Sequence, residues 1–305
     1  MSVTVIIPTY NGGALWKQSA HLLEKQHTNI VRVKVIDSSS KDDSRSVAEQ
    51  YAFEVCQIDQ KDFDHGGTRT LALSDVDTDI VVFMTQDAIL ATEDAIDCLV
   101  SVLEQDRSIV CAYGRQLPHH NANPLAEHAR MNSYRAESYI TSLSEDFPKG
   151  FRKAFFSNSF AAYHTDFLKS IGGFPRHLIL GEDSFVAAKA LVSGKKVAYV
   201  AEAKVRHSHN YTVVEEFKRY FDIGVFHSTQ QWMLDELGQV EGEGVKFAIE
   251  QIRFLIKRKR FKWVLLSVMA SAAKYLGYKL GRKHRSLGVT WSRRLSMYKT
   301  YWNRV

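Results

Sequence analysis

The sequence is poor in cysteine. Cys56, Cys98 and Cys111 are the three in 305 residues, and they form no CxxC pair and no even framework. That argues against a disulfide scaffold and a thiolate zinc site, and fits reduced core thiols in a cytoplasmic protein. Long apolar runs are missing too. The opening MSVTVIIPTYNGG has no basic leader and only a short apolar run, so it reads as a first strand rather than a signal peptide. Near the other end the longest charge-free stretch, Trp263 to Ala273, is 11 residues, against the roughly 20 needed to span a bilayer. There is no Walker loop, GxGxxG, RNA-binding signature, internal repeat or low-complexity linker. Nor is there a Ser-His-Asp or Cys-His arrangement for covalent catalysis.

Acidic charge is scarce in one region. Residues 246–305 hold 16 Lys or Arg and a single acid, Glu250, whereas the preceding 245 residues hold 24 basic and 33 acidic side chains. The overall charge of +6 hides this split. A basic tail on an acidic body faces a polyanion, either a nucleic acid or an anionic membrane surface. Hydrophobic content of 45% and charged content of 24% are those of an ordinary soluble protein, with enough chain for one large core or two smaller domains.

The first half alternates two periods. VTVIIP (3–8), VRVKVID (31–37) and IVVFMT (80–85) are near-continuous apolar runs of strand length, as in a parallel sheet covered on both faces. Helical patterns separate them at 13–26, at 41–52 with Asp42, Asp43 and Ser44 near its start, and at 91–105 with Thr92 as N-cap. Alternating strand and helix predicts a doubly wound α/β core, whose ligands sit beyond the carboxyl ends of the strands. The second half predicts helices at 124–140 and 181–195, a strand, short helix and Gly-Gly turn over 155–175, strands over 195–211, and helices throughout after about residue 213.

Polar groups cluster at the predicted strand ends. Asp37 closes the second strand, either as a cap for the next helix or as an acceptor for a base N–H. Asp87 ends an apolar run in FMTQDA, as a turn residue or as a metal ligand at the rim of the sheet. His207 and His209, two apart, share one face of an extended segment, where one could join Asp87 around a divalent ion. DFDHGGTRT has glycines opening a helix, a setting that favours anions. Glu182 and Asp183 follow Gly181 at a helix start, as dipole complements or with one carboxylate as a general base.

The ordered series VIIPTYNGG, VIDSSSKDDS, FDHGGTRT, FMTQDA, GRQLP, FFSNSFAAY, GGFP, GEDSF and HSHNY resembles inverting glycosyltransferases of family two with the GT-A fold. It is most similar to bacterial rhamnosyltransferases, over roughly residues 3–230. The resemblance implies a GT-A catalytic domain at 1–212, with a nucleotide-sugar half to about 115 and an acceptor half to 212, then a basic helical region at 213–305. It implies nucleoside contacts from Thr9, Tyr10, Asn11 and Asp37, and diphosphate proximity for Gly66 and Arg69. Gln86, Arg115 and Glu182 are implied as further substrate contacts. Asp87 matches the last acid of the DxD motif, with Thr85 and Gln86 in place of its first two residues. Asp183 matches the catalytic base. His209 matches a metal ligand, with His207 as the alternative, for Mg²⁺ or Mn²⁺. Thr70 stands where many similar sequences have Asn.

By the same resemblance the donor is dTDP-rhamnose and the acceptor a glycan on a polyprenyl-diphosphate lipid, made at the inner face of the cytoplasmic membrane. The basic tail, with Phe261, Trp263, Tyr275 and Tyr278, then lies on anionic lipid as a peripheral anchor. A solvated bundle or a dimer interface between C-terminal helices is the competing reading of the tail. Two other functions compete for the whole chain. A nucleotidyltransferase would need a Gly-rich N-terminal loop with following Arg and Lys, and PTYNGG is shorter. A nucleic-acid binder would leave Asp87, Asp183 and His209 unexplained.

Overall fold

The protein was analysed as a computed structural model that describes residues 1–239 and 242–304. Strands β1 (Val3–Thr9), β2 (Ile30–Asp37), β3 (Glu54–Gln57), β4 (Ile80–Met84), β5 (Ile89–Leu90), β6 (Ile109–Leu117), β7 (Tyr139–Thr141), β8 (Phe160–His164) and β9 (Lys196–Arg206) form one sheet. Its order is β3-β2-β1-β4-β8-β6-β9-β5, with β7 also paired to β9. The pairs β3–β2, β2–β1, β1–β4 and β6–β9 are parallel, whereas β8 runs against both β4 and β6. Six strands therefore point their carboxyl ends at one edge, and β8 begins at that same edge. The sheet is parallel through its first half and mixed through its second.

Helices α1 (Gly13–Glu24), α2 (Ser44–Gln50) and α4 (Ala95–Gln105) cover one face, and α3 (His65–Leu73), α6 (Thr165–Ser170) and α7 (Glu182–Val192) the other. Side-chain alternation divides the strands accordingly. Val5, Ile7, Val82 and Met84 pack with Trp16, Leu23, Val47 and Leu99. Ile6, Val81, Phe83, Tyr113 and Tyr163 pack with Leu73, Leu168, Val186 and Leu191. β4 is buried along its whole length, which is why its sequence shows no polar alternation.

Two predicted helices are shorter than their patterns. The helix expected over 91–105 starts at Ala95, and Thr92 does not cap it. The helix expected over 124–140 is α5 (Pro124–Ser133), capped by Asn123, and residues 139–141 instead form β7 on β9. The Tyr139 hydroxyl reaches that of Tyr113 at 2.8 Å, so sheet-edge pairing and a buried phenol outweigh local helix propensity.

The C-terminal region consists of α8 (Val213–Thr229), α9 (Gln231–Leu237), α10 (Glu243–Lys257), α11 (Phe261–Arg282) and α12 (His284–Leu295), the last broken at Gly288. The core does not divide at residue 212: Phe221, Val225, Phe226 and Trp302 belong to the same apolar cluster as α7 and the sheet. Asp222 on α8 accepts the Met297 and Tyr298 amides at 2.9 and 3.1 Å. Arg304 pairs with Asp64 at 3.6 Å. The last residues thus strap the helical layer back onto the start of α3.

α8 and α11 pack almost backbone to backbone. A Cβ on Gly281 would lie 2.0 Å from the Phe221 carbonyl, and one on Gly277 would lie 2.3 Å from that of Phe217. Gly281→Ala is expected to cost about 1–3 kcal/mol through overpacking, read as a lower midpoint in urea. An unchanged midpoint would contradict this helix pairing.

Candidate active site

The carboxyl edge of the sheet gathers the strand-end residues. The loop after β1 is laced to the loop after β2: the Asn11 amide donates to Ser40 Oγ at 2.9 Å, and Lys41 N donates to Asn11 Oδ1 at 2.8 Å. Asp37 is fully enclosed and accepts from Ser40 N at 3.0 Å and Thr9 Oγ1 at 3.4 Å. Gln86 ties the β4 loop to the β1 loop through both ends of its amide, accepting from Tyr10 N at 2.7 Å and donating to Tyr10 O at 3.0 Å. It therefore braces the wall beside the exposed Tyr10 ring.

Gly66 and Arg69 both have partners within the fold. A Cβ on Gly66 would meet the Pro175 carbonyl at 1.9 Å, so the glycine admits the 173–175 turn. Thr70 fastens the same turn, its hydroxyl accepting from Phe174 N at 2.8 Å and donating to Phe174 O at 3.0 Å. Arg69 is buried, donating to the His65 carbonyl at 2.8 Å and pairing with Glu182 at 3.1 Å. That pair holds Glu182 inside the fold: burial alone would raise its pKa, and Arg69 with its neighbours brings it below the usual range. Arg115 makes no ion pair among the described residues, and its buried Nε has no hydrogen-bond partner.

Asp183 sits in the first turn of α7, after Gly181 in the left-handed conformation. Its carboxylate accepts from the Asn158 amide at 3.1 Å and from Ser184 N at 2.7 Å. Burial, and then the neighbouring Glu182 charge, raise its pKa well above the ordinary carboxylate range. Two adjacent acids thus have opposite environments: Glu182 is neutralised by an arginine and Asp183 is left basic, the separation expected of a proton acceptor. Asn158, which the sequence did not single out, serves both, since its Nδ2 donates to Glu182 at 3.2 Å while its Oδ1 accepts from Tyr163 at 2.6 Å.

Asp87 meets both histidines. His207 Nε2 lies 3.5 Å and His209 Nε2 3.9 Å from Asp87 Oδ2, and the three donor atoms fall within 4.8 Å of one another. The chemistry of this set fits a divalent cation. His207 Nδ1 faces Gln116 Oε1 at 2.9 Å, an acceptor that Arg130 also donates to, so Nδ1 carries the proton. In the neutral ring, Nε2 then turns a lone pair toward a carboxylate, an arrangement that a cation resolves. Burial, then the charge of His207, hold the His209 pKa down to about 4, leaving a neutral imidazole at neutral pH. Burial works to raise the Asp87 pKa, and the facing His207 and His209 rings override it, holding the group well below its usual range. The structure thus brings both histidines to Asp87, with His207 the nearer.

A continuous run of contacts joins the two ends of the site. Asp183 accepts from Asn158, next to Ser157; Ser157 Oγ accepts from Gln116 Nε2 at 2.8 Å; and Gln116 binds His207 beside Asp87.

The model of Glycosyl transferase family 2 matches residues 4–172. The chain belongs to that family. The glycosyltransferase is 47% identical over 307 residues to the O-antigen chain rhamnosyltransferase RfbN of Salmonella typhimurium, covering 100% of this chain and 97% of that one. It is 45% identical over 306 residues to the O-antigen chain rhamnosyltransferase WbaN of Salmonella anatum, covering 100% and 96%. Its fold resembles the mannosyltransferase PcManGT from Pyrobaculum calidifontis, solved with GDP-Man and Mn²⁺, at TM-score 0.57 and 17% identity over 99% of this chain and 86% of that one. It also resembles S. aureus TarS 1–349, solved with UDP-GlcNAc, at TM-score 0.54 and 15% identity over 94% and 92%. The GT-A expectation for the fold is borne out.

Proposed function

We propose that this glycosyltransferase transfers L-rhamnose from dTDP-β-L-rhamnose to a hydroxyl of a growing O-antigen-type glycan on a lipid carrier, with inversion. The observation that carries the reading is the hydrogen-bonded path that sets Asp183 and the Asp87–His207–His209 group on one rim. The full-length likeness to two O-antigen rhamnosyltransferases supports the choice of sugar.

Asp183 accepts the proton of the acceptor hydroxyl as its oxygen attacks the anomeric carbon from the face opposite the leaving group. Asn158 and Ser184 fix the direction of that carboxylate. Tyr10, Asn11 and the wall around Asp37 bound the nucleoside, and Arg115 has donor capacity free for substrate. Asp87, His207 and His209 are the residues that would hold Mg²⁺ or Mn²⁺, and a bound ion would neutralise charge on the departing diphosphate. Two imidazoles beside one carboxylate favour Mn²⁺.

The test is a donor panel. The protein, with Mn²⁺ and a lipid-linked acceptor glycan, is incubated with dTDP-rhamnose, GDP-mannose, UDP-GlcNAc and UDP-glucose, and released nucleoside diphosphate is measured. Release from dTDP-rhamnose above the others is expected, and equal or preferred release from another donor would remove the assignment.

The same reading takes the enzyme to the inner leaflet as a peripheral protein, and α11 supports it. This helix packs inward with Ser267, Ala270, Gly277 and Gly281 and points Phe261, Leu265, Met269, Tyr275 and Leu276 at solvent, with Leu265 69% exposed. No helix among the described residues is long and apolar enough to cross a membrane. An apolar stripe flanked by Lys262, Lys279 and the run Lys257–Arg260 suits an anionic interface, and two such tails would repel each other in a dimer. In flotation, recovery with liposomes containing phosphatidylglycerol should exceed that with neutral ones and fall for Leu265→Glu/Met269→Glu. Equal recovery in all arms would count against it.

A further inference from the structure

α8 carries one cation to the rim without giving it a counter-ion. Arg219 is partly buried and makes no hydrogen bond or ion pair among the described residues; its guanidinium rests 5.7 Å from the centre of the Tyr211 ring. The acids around it on the same helix are all taken. Glu215 closes the capping box with Thr212, Glu216 pairs with Lys274 at 3.1 Å, and Asp222 accepts the Met297 and Tyr298 amides. On the facing elements, Glu182 belongs to Arg69, and Asp183 to Asn158 and Ser184. A charge drawn partly out of water with no partner is unfavourable, and an arriving anion reverses that.

Its position is fixed by a stack of rings. Tyr211 lies 5.2 Å from His209, whose Nε2 is 3.9 Å from Asp87. Arg219 is therefore one aromatic ring away from the carboxylate–imidazole group. On its other side stands Tyr298, whose ring meets His65 at 5.1 Å. Consistently, Arg219 is among the charges that, after burial, depress the pKa of both His209 and His65.

We propose that Arg219 binds a substrate diphosphate at this rim, donating its N–H groups to non-bridging phosphate oxygens next to Asp87, His207 and His209. The inference rests on reading the rim as a nucleotide-sugar site, and goes further by assigning an anion-binding residue to the C-terminal helical layer, outside the segment matched by the family model. A guanidinium suits this task because its fork reaches two oxygens at once. The strap of residues 297–304 and the α8–α11 packing then hold the arginine in place, which gives the helical layer a part in substrate binding.

Two diphosphates could be the ligand: that of the nucleotide donor, or that of a lipid-linked acceptor. The experiment compares wild type, Arg219→Ala and Arg219→Lys by calorimetry with dTDP, dTMP and farnesyl diphosphate, each with Mn²⁺, after matching their melting temperatures without ligand. The expected result is a loss of about 10- to 100-fold in dTDP affinity for Arg219→Ala, little change for dTMP, and partial recovery for Arg219→Lys. A loss confined to farnesyl diphosphate would support the same residue with the acceptor as its source. If Arg219→Ala does not fold, Arg219→Lys and Arg219→Gln carry the comparison. Variants that melt like wild type and bind both diphosphates as well as it does overturn the proposal alone. Wild-type protein that binds none of the three ligands overturns the nucleotide-sugar reading and the proposal together.

Discussion

Asp183→Asn is expected to lower the transfer rate about 10²–10⁴-fold, the usual contribution of a positioned base, while dTDP binding with Mn²⁺ stays within a few-fold of wild type. The amide keeps the shape of the carboxylate but has one oxygen, so it keeps only one of the two bonds that Asp183 accepts, from Asn158 N at Oδ2 and from Ser184 N at Oδ1, 3.1 and 2.7 Å in the native protein. What it loses is proton affinity. The raised pKa of Asp183, due to burial and then to Glu182, gives the prediction a pH signature. Below that pKa the carboxyl already carries the proton it must accept, so wild-type kcat/KM should fall as the solution is made more acidic, on a limb lying above the usual carboxylate range. The stability effect has the opposite sense. A carboxyl whose folded pKa is raised contributes stability that is fully present below its unfolded pKa and is lost as pH rises through the folded one. At neutral and alkaline pH, removing the buried charge offsets the loss of one backbone N–H bond, so Asp183→Asn should stay close to wild type toward urea. Retention of near-native turnover would show that another group is the base. A large drop in stability would show that the carboxylate is structural.

The sequence disclosed the parts of the fold that rest on local pattern. β1, β2 and β4 are buried on both faces and read as uninterrupted apolar runs, and the helices between them keep a 3.6-residue period. It did not disclose β7, whose pairing with β9 depends on residues about 60 positions away, nor the antiparallel β8, which local pattern cannot orient. The site shows the same division. Asp87, Asp183, His207 and His209 were legible because strand ends and helix starts place single polar groups at a rim. Gly66 and Arg69 were not, because their reasons are tertiary: the Pro175 carbonyl fills the space at one, and Glu182 takes the charge of the other. Asn158, Gln116 and Arg219 left no pattern, since an isolated polar residue looks the same whether it faces solvent or joins two buried polar groups. The only trace of Asn158 was its place in FFSNSF, between an aromatic pair and a buried strand. The tail was read correctly as basic and helical, but its inverted α11, with small residues inward and large apolar ones outward, requires knowing where α8 lies.

Asp87→Asn is expected to abolish the rise in melting temperature that Mn²⁺ produces in wild type, and to reduce transfer by about 10³-fold, equivalent to several kcal/mol of charge stabilisation. The substitution is isosteric and removes the only acid of the group, leaving His207 and His209 facing a neutral amide. Without metal the variant should also lose some stability at neutral pH, because the native carboxylate is held in its charged form by the facing histidines. Gln116→Met should act in the same direction but more weakly. Without Oε1, His207 loses the 2.9 Å contact that fixes its Nδ1 proton, and loss of such an orienting partner typically costs about 10–100-fold in metal affinity. Chelation with EDTA should bring wild-type activity down to that of Asp87→Asn and leave the variant unaffected. The graded order, wild type above Gln116→Met above Asp87→Asn in Mn²⁺ affinity, distinguishes a cation held by this group from one that reaches the enzyme only as a complex with the nucleotide. In the latter case Gln116→Met would match wild type in titrations of metal alone, and the rim would be a charge relay rather than a binding site.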